Sequence, residues 1–157
     1  MASDWSGPPD MVGGHVTGPL FLAREQRLVI AVRQVMAYPN GVEIDVIARA
    51  FGPAEPDGKQ WPEFWVRLAD GTEVVQDDEY WLRSGTGPTL MLSNASRSWG
   101  DPDNRADLRG SLWLWPLPGP ITLGVRWPVR GLADTSVELD GDAIAAAANR
   151  AVPFWSD

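Results

Sequence analysis

The stretch LVIAVRQVMAYPNGVEIDVIARAF, residues 28–51, carries the strongest structural signal in this sequence. It consists of two runs rich in β-branched residues on either side of a Pro-Asn-Gly tripeptide at 39–41. Proline and asparagine suit the central positions of a type I turn, and the glycine suits the left-handed residue that completes a three-residue hairpin loop. The stretch therefore predicts a long antiparallel hairpin in which Tyr38 faces Val42.

Counting outward from that turn divides the predicted hairpin into two faces. One face is apolar except for Gln34, and it contains Val32, Met36, Tyr38, Val42, Ile44, Val46 and Ala48. The other face carries the charged residues Arg33, Glu43, Asp45 and Arg49. Such a division is typical of an antiparallel pair with one side in the core and one side in water.

Shorter segments with strand character follow along the chain, at residues 64–69, 72–76, 89–94, 108–116, 121–127 and 135–139. Alternation in the Leu-Trp-Leu-Trp run at 112–115 places the leucines on one side of a strand and the tryptophans on the other. Residues 96–107 are polar, and we expect them to be irregular. Short strands with turn signals every 8–12 residues or so are typical of an antiparallel β-sandwich, immunoglobulin-like in architecture; a small barrel is the alternative.

The two ends of the chain differ in character. Residues 1–18 are rich in proline and glycine, which predicts a leader arm, and residues 19–157 are predicted to form a single β-sandwich domain. Near the C-terminus, Asp140 is a suitable N-cap for a helix over about residues 141–151. We expect the apolar face of this helix to cover the sandwich.

The composition is that of an acidic globular protein. The chain has 157 residues, enough for one domain with a sizeable core, and its formal net charge of −8 argues against nucleic acid and anionic membranes as partners. It contains no cysteine, which excludes disulfides and thiolate chemistry, and a single histidine, His15, leaves little basis for His-dependent catalysis. The first residues lack the features of a secretory signal, and no apolar run is long enough to span a bilayer, so a cytoplasmic location is expected.

Four parts of the sequence carry a family resemblance: residues 21–33 (FLAREQRLVIAVR), residues 38–43, the ending at residues 138–144 and 147–151 with Trp155, and, above all, residues 112–128 (LWLWPLPGPITLGVRWP). In these stretches the chain resembles a group of small uncharacterised actinobacterial proteins. The resemblance implies a cytoplasmic, β-rich domain. It provides no catalytic residues to carry over to this sequence.

Nine tryptophans are the most unusual feature of the composition. Trp113 and Trp115, two residues apart on one strand face and therefore about 6–7 Å apart, are candidates for a platform that stacks on sugar rings or a proline-rich peptide. Trp65 and Arg67 are candidates to extend that surface. The alternative is that the indole rings fill the core, as large aromatic side chains commonly do. In either case, two further tryptophans are predicted to be core residues: Trp127 and Trp155.

Other groups of polar residues carry less chemical meaning. Residues 101–107, DPDNRAD, contain acidic side chains that resemble a calcium loop, but Arg105 stands where an oxygen ligand is required. Three consecutive carboxylates at 77–79 are typical of a solvated turn. The sequence contains no nucleophile-elbow serine motif and no phosphate-binding loop, so we predict neither catalytic residues nor a metal or other cofactor.

These observations favour a non-catalytic protein-interaction or scaffold domain that engages another protein through a face or an edge of its sheets. The leader arm is a candidate to become ordered on such a partner. The alternative is a small-ligand or glycan-binding module that uses the tryptophan pair, and an enzyme whose site no motif reveals is a third possibility. A symmetric homo-oligomer is compatible with each of these functions.

Overall fold

A computed structural model describes residues 7–54, 60–77, 87–100 and 103–156 of the chain. The described residues form mainly β-structure, with one α-helix, α1 (Gly141–Asn149), and a 3₁₀ turn at Pro128–Arg130. The strands are β1 (Met11–Val12), β2 (Gly14–Thr17), β3 (Leu20–Glu25), β4 (Leu28–Tyr38), β5 (Gly41–Ala50), β6 (Glu63–Leu68), β7 (Glu73–Asp77), β8 (Thr89–Gly100), β9 (Arg105–Trp115), β10 (Ile121–Trp127), β11 (Leu132–Leu139) and β12 (Val152–Pro153).

Ten of these strands belong to one curled sheet. Its order is β11-β10-β6-β7-β8-β9-β5-β4-β2, with β3 also paired to β4, while β1 and β12 form a separate two-stranded ribbon. Strand β7 runs parallel to β8, so the sheet is mixed rather than antiparallel throughout. The prediction of an all-β domain with one short C-terminal helix is confirmed, whereas an immunoglobulin-like sandwich is not.

The curl of the sheet encloses the main core. Strand β11, at one end of the strand order, returns to β3 near the other end, where Thr135 Oγ1 donates a hydrogen bond to the Leu22 carbonyl oxygen at 2.9 Å. Helix α1 contacts β2 and β4, and its Ile144 is completely buried. Fully buried side chains from six of the strands meet inside, among them Ile30, Ile44, Phe64, Leu90, Leu108, Leu112, Leu123 and Trp127.

The β4–β5 hairpin forms as predicted, but the predicted register is wrong. Tyr38 pairs with Gly41, which leaves a two-residue loop, and an irregularity between Val32 and Gln34 shifts the register again. The bulge lies at Arg33 and reverses which face of β4 is buried. As a result, Val35 belongs to the core, while Gln34 lies outside and donates a hydrogen bond to Asp45.

Gly41 has a packing role instead of the left-handed role that the sequence suggested. Its φ is not among the positive values found in this chain. A Cβ at this position would lie 2.6 Å from both the Leu114 carbonyl oxygen and Cζ2 of Trp113. Glycine is therefore required because the Trp113 ring and the neighbouring strand β9 approach the backbone closely.

Strands β8 and β9 form a longer hairpin than we predicted. The pairing continues from Thr89 opposite Trp115 to Gly100 opposite Arg105, so residues 96–100 and 105–107 are strand rather than irregular. From Ser93 to Gly100 every β8 residue is exposed. Because neither face of this part of the strand is buried, its sequence lacks the apolar alternation by which strands are recognised.

Much of the predicted leader arm is part of the folded domain. β1 pairs with β12, and β2 pairs with β4. A Cβ at Gly14 would overlap the carbonyl oxygen of Ala147 in α1, which shows how closely this segment lies against the helix. Arg150 Nη2 donates a further hydrogen bond to the His15 carbonyl oxygen at 2.8 Å. Residues 1–6 of the predicted arm lie outside the described residues.

The C-terminal helix agrees closely with its prediction. Asp140 is the N-cap, and its side chain accepts a hydrogen bond from the Asp142 backbone N–H. The helix ends at Asn149, two residues before the predicted end. Trp127 is fully buried as predicted, but the prediction that Trp155 is a core residue is wrong, because 74% of it is exposed.

Candidate functional site

The predicted tryptophan pair lies on the outer face of the central strands. Strand β9 alternates as predicted, with Leu112 and Leu114 in the main core and Trp113 and Trp115 on the opposite side. Only 2% of Trp113 is exposed, however, because the ring packs in a second, smaller cluster that also contains Met11 of β1. The pair is therefore not an open stacking platform, and for Trp113 the structure shows the other of the two alternatives, a buried ring.

The second cluster contains an aromatic contact between strands β4 and β9. The rings of Tyr38 and Trp113 meet edge to face, with centroids 5.7 Å apart and planes at 70°. Glu43 pairs with Trp113 in the register of β5 and β9. Burial, reinforced by the charge of Asp45, raises the pKa of Glu43 above its ordinary value. A partly buried carboxylate thus borders this aromatic cluster.

Asp45 joins the neighbouring strands on this face. Its Oδ2 accepts a hydrogen bond from Gln34 Nε2 at 2.9 Å, and its Oδ1 accepts one from Ser111 Oγ at 2.8 Å. Both carboxylate oxygens are therefore occupied by contacts that hold β4, β5 and β9 in register. We assign Asp45 a structural role.

Trp65 and Arg67 come together as predicted, but away from Trp113. The Arg67 guanidinium lies 5.0 Å from the centroid of the Trp65 ring, a cation–π distance. Trp65 is only 4% exposed, and its Nε1 donates a hydrogen bond to Asp134 Oδ1 at 2.8 Å. The Trp65 ring is thus buried beneath neighbouring polar side chains on strands β6 and β10, and it does not extend a platform around Trp113.

A second arginine, Arg126 on β10, also lies close to the Trp65 ring. Its guanidinium is 5.9 Å from the Trp65 centroid and forms ion pairs with Glu63 at 2.9 Å, Glu73 at 3.4 Å and Asp134 at 3.6 Å. Burial opposes the charged form, but the hydrogen bond to Glu63 and the surrounding carboxylates raise the pKa of Arg126 overall. The network fixes Trp65 in place, so this surface is structural.

An exposed apolar surface lies elsewhere, at the ribbon formed by the two ends of the chain. Its members are Val12 (59% exposed), Val152 (59%), Phe154 (54%) and Trp155 (74%), which we call the ribbon surface. Val12 pairs directly with Val152 across the ribbon, so the two side chains share one face. The rings of Phe154 and Trp155 meet edge to face with centroids 6.4 Å apart.

Backbone contacts hold the ribbon surface in position. The Phe154 N–H donates to the Asp10 carbonyl oxygen at 3.0 Å, which extends the pairing of β1 and β12 by one step. Met11, on β1, packs against the Trp113 cluster. Sequence reasoning missed this surface because it assigned Trp155 to the core and residues 1–18 to an arm, whereas the surface exists only where the two ends meet.

The histidine and the acidic residues that the sequence singled out lie on different strands, with His15 on β2, Asp77 on β7 and Asp107 on β9. His15 is exposed in β2, opposite Met36. Within the described ranges, no group of three or more acidic or histidine side chains is arranged to hold a metal ion. Part of the DPDNRAD segment, Asp101, and two of the three carboxylates at 77–79, Asp78 and Glu79, lie outside the described residues.

Comparisons with known proteins leave the family open. No family model, no curated protein and no solved structure matches this chain. In the part of the chain that the structure covers, no helix has both the length and the apolar character needed to cross a membrane.

Proposed function

We propose that this chain is a non-catalytic protein-interaction domain whose partner docks on the ribbon surface. The observation that supports this proposal is the grouping of four large apolar side chains, each more than half exposed, at the junction of the two chain ends. Grouped apolar side chains on the surface of a soluble domain commonly mark interaction sites, whereas single exposed ones need no explanation.

The residue types at this surface support a protein partner. Tryptophan is enriched among the residues that contribute most to binding energy, and aromatic residues in general are enriched at interfaces. Trp155 presents most of its ring to solvent, and the edge-to-face contact with Phe154 restricts its orientation. A restricted aromatic side chain loses less conformational entropy on binding than a freely rotating one.

Affinity capture with matched variants tests the proposal. The full chain is tagged through an internal lysine, Lys59, so that neither end of the chain carries a tag. The tagged chain is used to isolate partners from a lysate of its source. The wild type is compared with the double variant Phe154→Ser/Trp155→Ser and with Phe21→Ser, which removes an exposed aromatic ring (47% exposed) from β3 instead. Circular dichroism establishes that all three proteins are folded.

We expect one or more stoichiometric partners to be retained by the wild type and by Phe21→Ser, and lost from the double variant. Sedimentation velocity on the purified proteins separates a second protein from a second copy of this chain, since only self-association persists without lysate. Identical sets of retained proteins for all three baits would rule out the ribbon surface as the docking site.

A further inference from the structure

A cavity of about 320 Å³ lies on the outer face of the sheet, where the β3–β4 turn meets the end of β5 and the start of β9. Apolar side chains line part of it, including Val29, Ile47 and Phe51. Three arginines line the rest, Arg27, Arg49 and Arg105. We call this cavity the arginine pocket. Its volume is at the lower end of the range of small-molecule sites, about 300–1,000 Å³.

The sheet register places two of the arginines on either side of an aromatic ring. The Phe51 N–H donates to the Arg27 carbonyl oxygen at 3.1 Å, which continues the β4–β5 pairing. Ala50 pairs with Ala106, so one further step sets Phe51 opposite Arg105. With strands about 4.8 Å apart, the Cα atoms of Arg27 and Arg105 are separated by roughly 10 Å, two interstrand spacings.

The arginine charges are only partly neutralised. Arg49 forms an ion pair with Asp107, with 3.2 Å between Nε and Oδ1. Arg27 and Arg105 form no ion pair with any of the described residues. A net positive pocket is unusual in a chain whose formal net charge is −8. Its two unpaired guanidinium groups can donate hydrogen bonds to an anion bound between them.

One of these groups packs against the chain that follows β5. Arg27 lies against Gly52, which has a φ of 94°, and a Cβ on Gly52 would come within 2.8 Å of Arg27 Nη1. The distal part of the Arg27 side chain thus lies close to the backbone at Gly52. A supported guanidinium loses less conformational entropy on binding a ligand than a free one.

We propose that the arginine pocket binds a small monoanion that carries a carboxylate on an apolar body. Guanidinium groups pair with carboxylates in a two-pronged geometry, and the apolar lining would bury the rest of the molecule. The acidic remainder of the protein disfavours polyanions, because their additional charges would be repelled. This inference concerns a surface separate from the ribbon surface and does not depend on the proposed function.

The chemical class is tested by calorimetric titration of the full chain with matched probes. The probes are benzoate, octanoate and 4-phenylbutyrate as apolar carboxylates, 4-phenylbutan-1-ol as a neutral counterpart, and inorganic phosphate as an anion without an apolar body. We expect at least one carboxylate to bind about tenfold more tightly than both the alcohol and phosphate, since hydrogen bonds to charged groups contribute that much or more. Failure of all three carboxylates to bind, or equal binding of the alcohol, overturns the proposal.

Three single variants locate the binding site. Arg27→Gln and Arg105→Gln each remove a guanidinium that forms no ion pair with the described residues, so neither variant breaks an ion pair within that part of the fold. Arg33→Gln is the matched control, because Arg33 is an exposed arginine of the same sheet that does not line the pocket. We expect the first two variants to lose affinity about tenfold and the control to bind as the wild type does.

Two results separate this proposal from its alternatives. An equal loss in the Arg33→Gln control would mean that binding reflects diffuse attraction of anions, and it would refute the pocket. The double variant Phe154→Ser/Trp155→Ser is expected to bind the carboxylate with unchanged affinity. If that variant also loses the carboxylate, the ligand site is at the ribbon surface and the proposed pocket is wrong.

Discussion

The packing of the Trp65 ring against the backbone of β10 can be tested directly at Gly124. Gly124 lies on β10 directly opposite Trp65. A Cβ at position 124 would overlap Cε2 and Cζ2 of the Trp65 ring and lie 2.7 Å from its Cη2. We therefore expect Gly124→Ala to destabilise the fold by steric overlap, although strands generally favour alanine over glycine.

The expected loss of stability depends on the contacts that hold the Trp65 ring in place. Trp65 cannot move aside without straining its hydrogen bond to Asp134 and its contacts with Arg67 and Arg126. Overpacking of a tight site costs about 1–3 kcal/mol, and weakening the hydrogen bond adds about 1 kcal/mol. We expect a loss of roughly 3 kcal/mol in the free energy of unfolding, the sum of a central value for each contribution.

Urea denaturation followed by far-UV circular dichroism measures this loss, because the midpoint and slope give the free energy of unfolding. Gly100→Ala is the matched control: Gly100 is also a strand residue, and a Cβ there would meet no atom within 4 Å. We expect the control to remain within about 0.5 kcal/mol of the wild type. A result for Gly124→Ala that equals the control would refute the argument.

A double-mutant cycle identifies the ring as the cause. Trp65→Leu alone loses the buried indole and its hydrogen bond to Asp134, but it also vacates the space that a Cβ on Gly124 would enter. We expect Gly124→Ala to cost about 2 kcal/mol less in the Trp65→Leu background than in the wild type, an interaction energy of ordinary size for residues in contact. Additive effects would show that the overlap with Trp65 is not responsible.

Two further predictions concern the acidic side chains. Because burial and the charge of Asp45 raise the pKa of Glu43 above 4.5, its ionised form destabilises the folded state, so Glu43→Gln should raise the free energy of unfolding near pH 7. This gain in stability should vanish as the pH falls through the raised pKa toward 4.5. Urea titrations at several pH values measure it, with Glu25→Gln, a change at an exposed glutamate, as the control. A gain that does not depend on pH would contradict this prediction. Asp140→Ala removes the acceptor of the Asp142 N–H at the start of α1 and should cost about 1 kcal/mol in thermal or urea unfolding, whereas Asp140→Asn should retain most of the stability. Equal stability of the alanine and asparagine variants would contradict the capping role.

Strands with one buried face could be predicted from the sequence alone. The alternate apolar residues of β10, Ile121, Leu123, Val125 and Trp127, are all buried, as are Phe64 and Val66 of β6. The alternation of apolar and polar residues in these strands records directly which side chains face the core. Helix α1 was predictable for a similar reason, because its cap at Asp140 and its run of alanines are local features.

Register, by contrast, depended on contacts that local sequence does not contain. The bulge at Arg33 exchanges the faces of β4, and the loop at 39–40 is shorter than the Pro-Asn-Gly tripeptide suggests. Gly41 was interpreted as a turn residue because glycine commonly adopts positive φ. In the structure, that glycine is explained by Trp113, which lies on a strand that neighbours β5 in the sheet but is far from it in the sequence. No pattern within the hairpin indicates this contact.

The exposure of the tryptophan side chains shows the same dependence on distant parts of the chain. Trp113 and Trp155 are chemically identical, yet one is 2% exposed and the other 74%. The difference arises at the ribbon, where Met11 on one strand packs against the Trp113 cluster while the paired strand β12 leads directly to Trp155. The N-terminal segment thus removes one aromatic surface from solvent and helps to position another. The sequence alone shows nine tryptophans, but the meeting of the two chain ends determines that Trp113 is buried and Trp155 is exposed.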